Sequence, residues 1–437
     1  MRGLVISWFY PPGNSSEGLV TYKLLSNSSF EYDVFTRKTH NADMFDRQTN
    51  ETSLVSDNVE VFQATTNDPE LWIGEAVDFF ERNIQKYDFI MTRCMTAAAH
   101  DAGAKIKARH QDILWLASFG DPLINTPYLR DDPKNANPFL FGKYCIYQHV
   151  PLKDMARVYF SKTRRAQRKL WEAQRLLDTK YSNYCSRINQ STFRGADKLI
   201  FNNTHQFNHA FTGKNKQYRS KGMIINHTFD KKLYPTIKPP VDNKIHFVYV
   251  GHLDALRNAN SLLQSIHKLH QNDPQVYKKV CFEFYGHIDD SDKVYILDHD
   301  LINIVRLHPD VDYITSLSRI ANADWTILID ANLNNKIADY IFCPAKLIDY
   351  IGVKKKVFAI TQPSGATTDI INSVGCGQAV SHSPEEIYLY LSKIIYQKYN
   401  PIVYNDNKLM EYEAEKVARD FDTAVQKILN DRRIDGR

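Results

Sequence analysis

Short apolar runs separated by helix-length amphipathic segments recur along this chain, and the pattern restarts after one proline-rich break. Strands that bury both faces read as near-continuous apolar runs, and parallel pairing needs a helical crossover between them. The alternation therefore predicts parallel α/β architecture. In the first half the expected strands are Gly3–Phe9, Tyr32–Thr36, Val59–Gln63, Phe89–Thr92, Ile113–Ser118, Lys198–Asn202 and the short run Ile224–Ile225. Helices are expected over Gly18–Asn27, Leu71–Tyr87, His100–His110 and Lys162–Ser191. The segment Tyr234-Pro-Thr-Ile-Lys-Pro-Pro-Val-Asp-Asn carries three prolines in seven residues and reads as a linker. Beyond it the expected strands are Ile245–Val250, Val280–Tyr285, Ile304–Leu307, Trp325–Ile329, Lys356–Ile360 and Gly377–Val380. The helices between and after them are Asn258–His270, Tyr313–Ala321, Lys346–Ile351, Thr367–Ser373, Pro384–Gln397 and a last one, Lys408–Leu429.

A chain of 437 residues exceeds what one core usually serves, so two units are expected: 1–234 and 241–407, with 408–437 following the second. Two such units imply an interdomain cleft, since ligands of open α/β sheets bind beyond the carboxyl ends of the strands.

Composition removes several classes. Hydrophobic residues at 43% and charged residues at 24% describe an ordinary globular chain. There is no run of about 18 apolar residues to form a spanning helix, and MRGLVISWFYPPGN lacks the form of a secretory signal. Six scattered cysteines without a CxxC pair read as reduced thiols of a cytoplasmic protein. The net charge of +5 is too mild for a nucleic-acid partner. It is uneven, however: Arg157, Lys162, Arg164, Arg165, Arg168 and Lys169 cluster in one stretch with Leu170, Trp171, Leu176 and Leu177. Such a helix is either a solvated face or, over 162–177, a contact with an anionic membrane surface.

Three strand–loop–helix junctions carry small residues where a helix N-terminus can cradle an anion. The first is Pro11-Pro-Gly-Asn-Ser-Ser-Glu-Gly18; the second is Gly251-His-Leu-Asp-Ala-Leu-Arg257-Asn. The third is Ser364-Gly365-Ala-Thr367-Thr. Gly286, after the strand Val280–Tyr285, adds a glycine to the same rim as Gly251. None is a GxGxxG or Walker loop, which removes the main support for dinucleotide enzymes and P-loop ATPases. In Phe342-Cys-Pro-Ala-Lys-Leu-Ile-Asp, Pro344 starts a helix, and Lys346 and Asp349 share a face three residues apart. A cation for phosphate and a carboxylate for ribose hydroxyls are what a nucleoside diphosphate needs.

WFYPPGNSSEG, VGHLDALRN and PAKLIDYIGVKKKVFAI, supported by ASFGDP and INHTFD, resemble the retaining glycosyltransferases of family 4 with the GT-B fold, over essentially the whole chain. The resemblance implies two Rossmann-like domains facing a cleft, the last helix crossing back onto the first domain, and a nucleotide-sugar donor. It places Arg257 and Lys346 on the donor diphosphate, Asp349 on the ribose, and Ser364–Thr367 beside the sugar or phosphates. It implies transfer with retention to a glycan or lipid-linked hydroxyl, without metal or further cofactor. The chain departs from the family pattern at Ile341, where the first of two glutamates often stands, and at His252, in place of a turn arginine. A sugar-nucleotide epimerase and a non-catalytic GT-B partner subunit are the alternatives.

On the first domain, Asp121, His100 and His227 follow strands or start helices and are the candidates for contact with acceptor or donor sugar, ranked with Asp121 first. A helix cap for Asp121 and an interior hydrogen bond for each histidine are the competing roles. The two Asp-x-Asp matches, at Asp298 and Asp310, and the pair His267 and His270 lack a metal-site context, so no metal is expected.

Overall fold

The computed structural model describes residues 1–13, 15–39, 54–94, 96–124, 164–237, 242–253, 257–332, 340–396, 399 and 401–434, with backbone alone over 164–179. The described residues form two all-parallel sheets. The first contains β1 (Arg2–Ser7), β2 (Glu31–Thr36), β3 (Val59–Gln63), β4 (Phe89–Cys94), β5 (Leu114–Phe119), β6 (Lys198–Phe201) and β7 (Gly222–Ile224) in the order β3-β2-β1-β4-β5-β6-β7. The second contains β8 (Ile245–Val250), β9 (Val280–Tyr285), β10 (Val305–His308), β11 (Trp325–Ile329), β12 (Lys356–Ile360) and β13 (Gly377–Val380) in the order β10-β9-β8-β11-β12-β13. Each sheet reverses its strand order once, between β1 and β4 and between β8 and β11. Those switch points are where a doubly wound sheet opens a crevice at its carboxyl edge.

The helices used below are α1 (Ser16–Leu25), α2 (Pro69–Asn83), α3 (Ala97–Arg109), α4 (Arg164–Gly195), α5 (Asn260–Asn272), α6 (Tyr313–Asn322), α7 (Ala345–Gly352), α8 (Ala366–Val374), α9 (Pro384–Ile395) and α10 (Ala414–Ile434). Strand residues alternate between faces, and each face of the first sheet has its own core. Leu4, Ile6, Ile90 and Trp115 pack with Trp72, Phe80 and Ile106 of α2 and α3. Val5, Val34, Met91 and Leu116 pack on the other face with Leu19 and Tyr22 of α1 and Phe421 of α10. Asp422 of α10 accepts from the Ser28 and Ser29 hydroxyls and from Ser29 N, at 2.6–2.7 Å, which ties the last helix to the first domain.

Two short helices, Thr204–Ala210 and Asp290–Asp298, appear that the sequence pattern does not predict, and the last helix also differs from expectation. Instead of a continuous helix from Lys408, the chain breaks before α10, because Phe229 pairs there with the extended backbone. Phe229 N donates to Tyr412 O and Ala414 N donates to Phe229 O, both at 2.9 Å, so those groups leave the helical ladder. Among the described residues no helix is long and apolar enough to cross a membrane.

Candidate functional site: a cleft between two switch points

On the second domain, β8 and β9 end in glycines held at φ values of +123° (Gly251) and +125° (Gly286). Side chains rarely adopt that conformation, and here there is also no room for one. A Cβ on Gly251 would stand 2.7 Å from Lys346 Nζ; one on Gly286 would stand 2.5 Å from the Gly251 carbonyl oxygen and 3.3 Å from Asp310 Oδ1. Lys346, in the first turn of α7, donates to Tyr249 OH at 3.1 Å and lies 4.3 Å above that ring. His252 bonds Asp310 Oδ1 through Nε2 at 2.6 Å, so this position in the turn after β8 holds an imidazole–carboxylate pair.

At the tip of β11 stands Asp330, fully buried. Its Oδ2 accepts from the Thr361 and Thr367 hydroxyls at 2.7 Å each, while Oδ1 has no partner. Burial pushes this carboxyl up, and the two threonine bonds and the charges of Arg257 and Lys346 oppose the shift. The Thr367 side chain is thus committed to Asp330 rather than to the cleft. Gly365, at φ +130°, caps α8, where a Cβ would strike the Tyr340 backbone. Tyr340 N donates to Ser364 O at 3.1 Å and Ala366 N donates to Tyr340 O at 2.7 Å, which fixes the entry to α8. The middle of the second junction, 254–256, and Asn14 in the first lie outside the described residues.

Across the cleft, Glu17 in the first turn of α1 is buried and accepts from Arg93 Nε at 3.0 Å. Arg93 Nη1 donates to Ser118 Oγ at 2.9 Å. Gly120 leaves space for the Glu17 carboxylate, which a Cβ there would overlap. Beside it, the Asp121 carboxyl is pushed up to about 7 by burial and then by the Glu17 charge, against the pull of Arg257 and Arg93. Arg257 belongs to the second domain, so the two halves meet electrostatically at Asp121. Gly18 serves packing: a Cβ on it would sit 3.1 Å from Tyr10 Cα.

The structure places the remaining sequence-derived candidates elsewhere. His100 is fully buried, edge-on to Phe119, with Nδ1 on Thr92 Oγ1 at 2.7 Å. Burial lowers it to about 3, so it is a neutral core residue without access to substrate. His227 is also buried, lowered to about 3 by burial and then by Arg93 and Lys23, with the Cys343 backbone opposing. It lines a small cavity of about 20 Å³ with Arg93, Ser118 and Thr228. Asp349 is no open ribose ligand in this arrangement. Its Oδ1 accepts from Lys23 Nζ at 2.9 Å and from Tyr313 OH at 3.0 Å, and the side chain is 7% exposed.

Glu17, Arg93 and Asp330 escaped the sequence reading. A signal for two of them exists: each is a charged residue closing an otherwise apolar run, FIMTR and WTILID, beside the first strand of its sheet. Charge at a switch point is a ligand signal.

No family model matches the chain, and no curated protein matches its sequence. Solved structures match its fold over nearly their full length. Sucrose-phosphate synthase from Thermosynechococcus elongatus superposes with a TM-score of 0.65 at 12% identity, covering 98% of this chain and 99% of that one. A trehalose-6-phosphate structure from E. coli bound with UDP-2-fluoro glucose gives 0.58 at 8% identity, covering 97% and 98%. A UDP-N-acetylglucosamine 2-epimerase gives 0.51 at 10% identity, covering 96% and 94%. At such identities the likeness is one of architecture, and on that ground, with its two parallel sheets of seven and six strands, the chain has the GT-B fold.

Proposed function

We propose that the chain is a glycosyltransferase that moves a sugar from a nucleoside-diphosphate donor to a hydroxyl of a glycan or lipid-linked acceptor, with retention and without metal. The observation that carries the reading is the convergence on Asp121, where Arg257 of one domain meets Glu17 and Arg93 of the other. Arg257 and Lys346, beside the glycine-tipped strands β8 and β9, supply positive charge for a departing diphosphate. The N-terminus of α8 adds its dipole. Asp121, which titrates about neutrality, takes the single proton of the acceptor hydroxyl as its oxygen bonds the sugar carbon, and the diphosphate leaves with the electron pair of the broken sugar–oxygen bond. The fold neighbour bound with UDP-2-fluoro glucose supports a nucleotide-sugar donor. We place the protein in the cytoplasm, with the basic stretch 162–177 resting on an anionic leaflet.

The test is a thermal-shift screen against UDP, GDP, CDP, dTDP and ADP, without metal and then with magnesium. One diphosphate should raise the melting temperature without magnesium, and Lys346→Ala should abolish that shift. No shift with any of them would overturn the donor site.

A second reading, a sugar-nucleotide epimerase, is favoured by the adjacency of Glu17 and Asp121, the carboxylate pair that such chemistry uses. An epimerase converts its donor sugar without an acceptor and exchanges a sugar proton with solvent. Deuterium in recovered nucleotide sugar would establish that reading; intact donor until an acceptor is added supports transfer.

A further inference from the structure

Away from the cleft, the face of the second sheet opposite its main core carries a cluster that the donor site does not use. Phe247, Tyr249, Phe282 and Phe284 point into that core, so His246, Cys281 and Glu283 share the other face. The register pairs His246 with Cys281 and Val248 with Glu283, which puts these side chains on adjacent strands. One imidazole nitrogen, the thiol sulfur and a carboxylate oxygen all lie within 4.8 Å of one another. Within the cluster, His246 Nδ1 is 3.2 Å from Glu283 Oε2, and its Nε2 is 2.7 Å from Asp242 Oδ1. His308, the last residue of β10, lies flat on Tyr285 at 4.3 Å. Its Nε2 stands 3.4 Å from Glu283 Oε1 without making a hydrogen bond.

We propose that His246, Cys281 and Glu283 form a binding site for a zinc-class divalent cation, with His308 beside Glu283 outside the ligand set. A histidine whose outer nitrogen meets one carboxylate while its inner nitrogen meets a second, with a thiol within 4.8 Å, has the order of a metal-binding imidazole with its orienting partner. Simple ion pairing explains Asp242, His246, Glu283 and His308 but leaves the fully buried Cys281 thiol beside them without a role. An imidazole, a thiolate and a carboxylate supply three mixed donors of a tetrahedral site, and water takes the fourth position. Such a set selects zinc and its neighbours over magnesium or calcium, which require oxygen ligands. On loading, the Cys281 thiol loses its proton to solvent as the sulfur–metal bond forms, and no electron changes hands. The cation then clips β8 and β9 together, behind the strand tips at Gly251 and Gly286.

The experiment uses the full-length protein stripped of metal and titrated with cobalt(II), then zinc. One equivalent of cobalt should produce a thiolate-to-cobalt charge-transfer band and tetrahedral d–d bands, and zinc should bleach both. Cys281→Ser should abolish the charge-transfer band, and His246→Ala should weaken cobalt binding at least tenfold. Nucleotide-induced thermal shifts in Cys281→Ser should match wild type, which separates a lost metal site from a lost fold. Absence of the band in the wild type, or its persistence in Cys281→Ser, overturns the site.

Discussion

Lys23 Nζ stands 2.9 Å from Asp349 Oδ1, joining α1 beside the first sheet to α7 beside the second, with both side chains almost wholly out of solvent. Removing one partner leaves a buried charge unpaired, whereas removing both does not. Lys23→Met should therefore destabilise the protein by about 3–5 kcal/mol. Lys23→Met with Asp349→Leu should recover much of that loss. Urea denaturation of the two single variants and the double variant checks it; an additive double variant would show that the pair is not coupled.

Asp121 predicts a pH dependence. Its carboxyl titrates near 3.8 unfolded and about 7 in the fold, pushed up by burial and then by Glu17. A raised acid favours the folded state fully below 3.8, and that contribution is lost as pH rises through 7. Asp121→Asn should thus match wild-type stability near pH 4 and exceed it at pH 8 by roughly 1 kcal/mol or more. If the ionised carboxylate takes the acceptor proton, kcat/KM should climb to a plateau above about pH 7. In Asp121→Asn that break should vanish and the plateau fall by about 100-fold or more. A break that survives the substitution belongs to another group.

The contact between Lys346 and the Gly251 turn predicts that charge and space are both needed for donor binding. Lys346→Ala should weaken nucleoside-diphosphate affinity by about 10- to 100-fold while leaving the fold intact. Gly251→Ala should weaken it as well, since the added methyl displaces the Lys346 amine and strains the turn. Isothermal titration with the diphosphate picked out by the thermal screen decides between these effects and none.

Much of this was legible in the chain. Apolar runs marked the strands because both faces of each sheet are buried, and Gly251, Gly286 and Gly365 stood where loops needed positive φ. What stayed hidden depends on adjacency across long separations. Lys23 meets Asp349 over 326 positions, and no local pattern pairs them. Arg93 reaches Glu17 only because β4 lies beside β1. His100 and His227 read as cleft residues because each follows a strand, yet strand order alone does not say how deep a side chain sits. Both proved buried and neutral.

The stretch 162–177 lies partly outside the described residues, and over 164–179 the structure describes its backbone alone, helical from Arg164. Its composition predicts that neutralising Arg164, Arg165, Arg168 and Lys169 together reduces binding to phosphatidylserine vesicles, each charge contributing about 1 kcal/mol near the surface. Co-sedimentation at low and high salt measures this; unchanged binding removes the membrane contact.

Asp330 unites stability and function in opposite directions. A carboxyl so buried, with one oxygen unpartnered, strains the fold, yet Arg257 and Lys346 lie within reach of its charge. Asp330→Asn keeps the shape and an oxygen for the Thr361 and Thr367 hydroxyls but removes the charge. The variant should melt higher than wild type, because a neutral amide costs less to bury than a carboxylate. It should also bind the diphosphate about tenfold more weakly, a loss of about 1.4 kcal/mol, as the two cations lose the anion that aligns them. A higher melting temperature with unchanged affinity would reduce Asp330 to a support for the two threonines. A lower one would mean that the charge itself holds β11 to β12.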